Sequence, residues 1–92
     1  MAGMMGNPLC YIRLLTNSDN LDDIGNGVYW TVNLDNPSNS PTDTYNNIII
    51  QIRNNARGDK LQLLFSMNTH KLYFRAAAGG SSWFEWKAIA TL

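Results

Sequence analysis

Four stretches of this chain alternate residue character with a period of two, and short breaks rich in Gly, Asn and Ser divide them. Val28, Trp30, Val32 and Leu34 share one parity, with Tyr29, Thr31 and Asn33 between them. Ile48, Ile50 and Ile52 face away from Ile49, Gln51 and Arg53. Leu61, Leu63, Phe65 and Met67 alternate with Gln62, Leu64 and Ser66, and Leu72, Phe74 and Ala76 with Lys71, Tyr73 and Arg75. Period two is the repeat of the β-pleat, so each stretch reads as a strand with one face more apolar than the other. Residues 54–59 read as a turn with Gly58 suited to positive φ, Asn68-Thr69 as a tight connection and residues 79–82 as a loop. Connections this short pair neighbouring strands antiparallel.

The remaining segments complete a small fold. Residues 9–15 read as a first strand or extended arm. Ser18, Asp19 and Asn20 are N-cap types, and Leu21 and Ile24 lie three apart, which predicts a single helical turn closed by Gly25. Residues 35–45, with Pro37 and Pro41, read as a surface loop. Residues 83–89 read as a final strand with Phe84, Trp86 and Ala88 on one side. The expected fold class is mostly β: a small antiparallel β-meander of five or six strands with one short helical turn near the N-terminus. No 12-residue amphipathic helix is legible, which excludes α/β folds and helical bundles. Trp30, Phe65, Phe74, Phe84 and Trp86 are expected to fill the core.

At 92 residues there is room for one domain and one modest core. Residues 1–8 read as a flexible leader and 9–92 as the domain. Seven basic and seven acidic side chains cancel, leaving no field for non-specific nucleic-acid binding or for an anionic membrane. Polarity comes instead from 12 Asn, 6 Ser and 6 Thr. So little charge also weakens a chain's defence against self-association. Cys10 is alone, so it forms no internal disulfide and no Cys-based zinc site, and it reads as a buried inert thiol. No apolar stretch reaches the ~20 residues of a membrane helix, and the first residues lack a basic n-region and long h-region.

Catalytic constellations are hard to find. Asp19, Asp22 and Asp23 are oxygen-rich, but the Gly and terminal Glu of a calcium loop are missing, and a capping turn is the better reading. Glu85 is the only Glu, and nothing places a second carboxylate beside it for glycoside hydrolysis. Gly79-Gly80 lacks the Lys-Ser of a phosphate loop. The expectation is therefore no enzyme, no cofactor and no metal. Aromatic residues, at 11%, are more informative. Sugars are held by aromatic faces on ring C–H groups and by planar polar side chains on hydroxyls. Tyr73 and Trp83 are the candidate platforms, with Arg75 and Asn side chains as hydrogen-bonding partners. Arg75 stacked on an aromatic as a structural cation–π pair is the competing reading.

The order of these features resembles one family. Asn20-Leu21-Asp22-Asp23-Ile24 followed by Gly27-Val28-Tyr29-Trp30 looks like the opening of the pyocin-knob-like domain. Asn36-Pro37, the Ile48-to-Ile52 strand, Leu72-Tyr73-Phe74-Arg75 and the closing Trp83-Phe84-Glu85-Trp86-Lys87 follow in that family's order. The likeness spans residues 15–89. It departs where the family's first motif usually has a second Asn and this chain has Asp22 or Asp23. The variable insert at residues 79–82 carries no expected role. The resemblance implies a knob-like domain of a bacteriophage or prophage tail fibre, or of an R-type pyocin fibre. It implies a homotrimer with other copies and domains of the fibre, attachment to bacterial surface glycan, and a virion protein made in the bacterial cytoplasm. A purely structural spacer or trimerisation domain and a carbohydrate-binding module of a secreted protein are the alternatives.

Overall fold

A computed structural model describes residues 12–32, 35–42, 46–53 and 57–89. The leader, Cys10 and the start of the 9–15 arm lie outside the described residues, as do Asn33, Leu34 and the 54–56 part of one predicted turn. The described chain is all-β: a single six-stranded sheet in the order β1-β2-β3-β4-β5-β6. Its strands are β1 (Ile12–Leu14), β2 (Gly27–Thr31), β3 (Asn47–Arg53), β4 (Lys60–Ser66), β5 (Lys71–Ala77) and β6 (Lys87–Ile89). The pairings from β2 to β6 are antiparallel, with short turns joining β3 to β4 and β4 to β5 and longer connections, residues 32–46 and 78–86, at the other two. The β1–β2 pair is parallel, with Ile12 opposite Val28 and Leu14 opposite Trp30. Residues 15–26 provide the long return that a parallel pair needs. Turns at two points demand unusual backbone: Gly58 sits at φ 78, as its sequence context suggests, and His70 closes the β4–β5 turn at φ 58.

The register puts alternate residues of all strands on two common faces, and the described residues cover only one. On the covered face Tyr29, Ile49, Leu64 and Tyr73 form an apolar row across β2 to β5. Leu15 and Leu21 lie fully buried against Tyr29, Ile49 and Leu64, with Ile24, Tyr73 and Trp86 packed around them. Each such leucine contributes about 1.5–3 kcal/mol by leaving water. Polar rows flank the apolar one: Thr31, Asn47 and Ser66 on one side, Gln51, Gln62 and Arg75 on the other, all buried.

The opposite face carries Val28, Trp30, Ile48, Ile50, Ile52, Leu61, Leu63, Phe65, Leu72, Phe74 and Ala76, and none of these is buried. The expected core of Trp30, Phe65, Phe74, Phe84 and Trp86 is therefore corrected. Trp30 is 43% exposed and Phe84 61%, Phe65 and Phe74 are half-buried, and Trp86 alone of the set packs against the core. Periodicity marks which residues share a face; it does not say which face the connecting segments will cross. The final strand is also shorter than residues 83–89, because Trp83 to Trp86 leave the extended ladder and only Lys87–Ile89 pair with β5.

Candidate functional site

The covering segments are stitched to the sheet by Asn side chains and buried amides. Residues 16–23 make two successive turns, Asp19 N–H to Thr16 C=O and Asp23 N–H to Asn20 C=O. Asn20 Oδ1 accepts from Asp22 N–H at 2.9 Å and from Asn39 Nδ2 at 2.7 Å. Asn17 Oδ1 accepts from Asn36 N–H at 2.6 Å, and a two-way backbone exchange joins Leu21 to Ser38 and Ser38 to Asp19. These Asn residues, rather than reaching into solvent for a sugar, hold residues 35–42 onto the first turns. Asn39, at φ 65, presents its carbonyl to Trp86 Nε1 at 2.7 Å.

Arg75 lies in the one of the two buried polar rows on the covered face that carries a charge. Its place in β5 sets it opposite Gln62 of β4, which is opposite Gln51 of β3, which is opposite Gly27 of β2. Arg75 Nε donates to Gln62 Oε1 at 2.8 Å, while Gln62 Nε2 donates to Gln51 Oε1 at 2.7 Å and to the Leu21 carbonyl at 2.6 Å. Arg75 Nη2 stands 2.9 Å from Asp22 Oδ1, yet no acceptor is in line with its N–H bonds. That contact is an ion pair rather than a directed hydrogen bond. The guanidinium carbon lies 4.3 Å from the Trp83 ring centroid and 4.7 Å from that of Trp86. Arg75 is only 5% exposed. Burial lowers its pKa from the usual arginine value, and the Asp22 carboxylate beside it partly offsets this.

The three residues singled out from sequence thus sit on one side of the sheet, but in different roles. Tyr73 is half-buried against the core. Arg75 is occupied by Gln62, Asp22 and two indoles. Its competing reading, as a structural cation–π pair, is the one the geometry matches. Trp83 keeps part of its surface in solvent, with Lys60 Nζ 4.8 Å from its ring centroid, although its indole N–H is buried without an acceptor. Beyond it Phe84, Glu85, Ser81 and Ser82 are exposed. Sequence reasoning missed Gln62 and Asp22 as partners of Arg75, and Gln51 as the partner of Gln62. The available signal was three polar residues on the less apolar parity of neighbouring strands. Among the described residues no group of three or more His, Cys, Asp or Glu converges to hold a metal ion. No helix of the described chain is long and apolar enough to cross a membrane.

No protein-family model, curated protein or solved structure matches this chain.

Proposed function

We propose that this chain is a knob-like domain of a phage or prophage tail fibre that takes part in attachment to the host surface by weak, multivalent contact with glycan. The observation that supports this reading is the aromatic corner at residues 83–84. Trp83 is anchored from beneath by Arg75 and flanked by Lys60, and the neighbouring Phe84 is 61% exposed beside uncharged Ser81 and Ser82. An anchored indole beside an exposed phenyl ring, with a wet, weakly charged rim, suits the apolar side of a sugar ring. One such shallow contact binds on the order of millimolar, and repetition across a homotrimer and across several fibres supplies the working strength. On this reading Trp83 and Phe84 make the contact, and Arg75 and Tyr73 support it from within.

A purely structural spacer is the second reading. It is favoured by the enclosure of Arg75 and by the use of Asn17, Asn20, Asn36 and Asn39 within the fold. The two readings part in a titration of the labelled protein with bacterial lipopolysaccharide O-chain and capsule oligosaccharides. The attachment reading expects saturable shifts at the Trp83 and Phe84 ring signals, lost in Trp83→Ala. Silence across the panel, with the protein also displayed multivalently on an array, overturns it in favour of the spacer.

A further inference from the structure

We infer that the open apolar face of the sheet is the surface on which copies of this chain meet. Arg13, Arg53, Lys60, Lys71 and Arg75 all stand on the covered side, by the register that aligns them with Tyr29, Ile49, Leu64 and Ala77. The open side carries Lys87 as its one strand charge, in the last strand opposite Phe74. A face meant for water in an antiparallel sheet is polar. Here it is lined by Ile, Leu, Val, Phe and Trp, with Ile12 62%, Ile52 53% and Ile48 40% exposed.

Area comes next. Each strand residue occupies about 16 Å² of sheet plane (~4.8 Å by ~3.3 Å), so the six strands present about 500 Å² per face. A patch of that size is at the upper end of the largest apolar patch a typical monomer carries, about 300–600 Å², and such patches are often functional. Two such faces together remove about 1,000 Å² even before side-chain relief is counted, which reaches the threshold of a specific interface.

The choice of occupant follows from form and charge. One side of this sheet is closed by covering segments, and among the described residues no layer lies on the other, where a second sheet face has the fitting shape. Another copy offers that shape, lacks the charge pattern that would select a different protein, and, at formal net charge +0, repels its neighbour little. The shallow depression of about 350 Å³ lined by Ile12, Val28, Trp30 and Ile48, with Tyr29 of the covered face also reaching it, gives such packing relief to lock into. Edge-to-edge strand addition is the weaker route, because both edge strands have only three residues. The inference shares with the proposed function only the association of copies; it stands on the sheet geometry, so a silent glycan panel leaves it intact.

Sedimentation of the full chain from about 1 to 500 μM tests it through mass action. The expected result is a closed dimer or trimer at the upper end, either of which buries this face. Ile48→Lys and Ile50→Glu return it to the mass of one chain with the β circular-dichroism signal kept, while Lys71→Glu, at an exposed position of the covered side, leaves the assembly intact. If Ile50→Glu fails to fold, Ile48→Lys decides, because its side chain already reaches solvent in the single chain. A monomer throughout the range overturns the inference, as does an assembly whose mass neither face variant changes.

Discussion

Arg75 shows how one side chain is held by contacts of three kinds. Its Nε reaches Gln62, its charge stands against Asp22, and its plane lies against Trp83 and Trp86. Only a planar, always-charged group satisfies all three, which is why lysine is a poor replacement. Arg75→Lys is expected to cost about 1–2 kcal/mol through the lost Nε bond and stacking. Arg75→Ala is expected to cost about 2–4 kcal/mol, since it also strands Gln62 Oε1 in the interior. Urea denaturation of both variants checks this. Equal and negligible losses would mean that the guanidinium contributes nothing beyond filling space.

The elements depend on close passages between turns. The loop after β5 returns past the turn before β4, where Gly79 N–H donates to Asp59 Oδ1 at 2.7 Å. A Cβ at Gly79 would run into the Arg57 carbonyl oxygen, which is backbone and has little room to yield. The family resemblance treats this insert as freely variable, yet the packing makes its first glycine specific. Gly79→Ala is expected to destabilise the protein by about 1–3 kcal/mol, whereas Gly80→Ala meets no atom and suffers only from its φ of 76. Hydrogen exchange should locate the difference, with Gly79→Ala speeding exchange at the amides of β6 and residues 78–86 before the rest of the sheet. Uniform exchange in both variants would count against the close passage.

At the scale of the whole molecule, Tyr29 ties the covering segment to the sheet and gives the fold a dependence on pH. Its hydroxyl donates to the Gly25 carbonyl at 2.7 Å, and its ring sits in the core. Burial raises its pKa above the usual tyrosine value, with the nearby Arg13 charge acting in the opposite direction. Above about pH 10 the unfolded chain therefore gives up this proton before the folded one. The native state then holds more protons, and its contribution to stability, full below that pH, falls as pH rises through the folded value. Comparing urea midpoints from pH 8 to about 11 should show a smaller decline in Tyr29→Phe than in the parent chain. The variant should start about 1 kcal/mol lower for want of the hydroxyl bond. Parallel declines would place the alkaline sensitivity elsewhere.

The positions of the strands were legible in the sequence because pleating is local: side chains two apart share a face whatever lies above them. The Gly58 turn, the Asn68-Thr69 connection and the all-β class follow from the same local rules. Which face the chain covers was not local. The apolar parity of Trp30, Ile48 and Phe65 looked like an interior, but residues 15–26 and 35–42 cross the other side, where Leu15, Leu21 and the Gln62 amide give them partners. Arg75 likewise looked available to a ligand until Gln62, Asp22, Trp83 and Trp86, scattered along the chain, were brought around it. Alternation thus determined the strands, while long-range packing alone decided inside from outside, since burial depends on what stands opposite a side chain and not on the side chain itself.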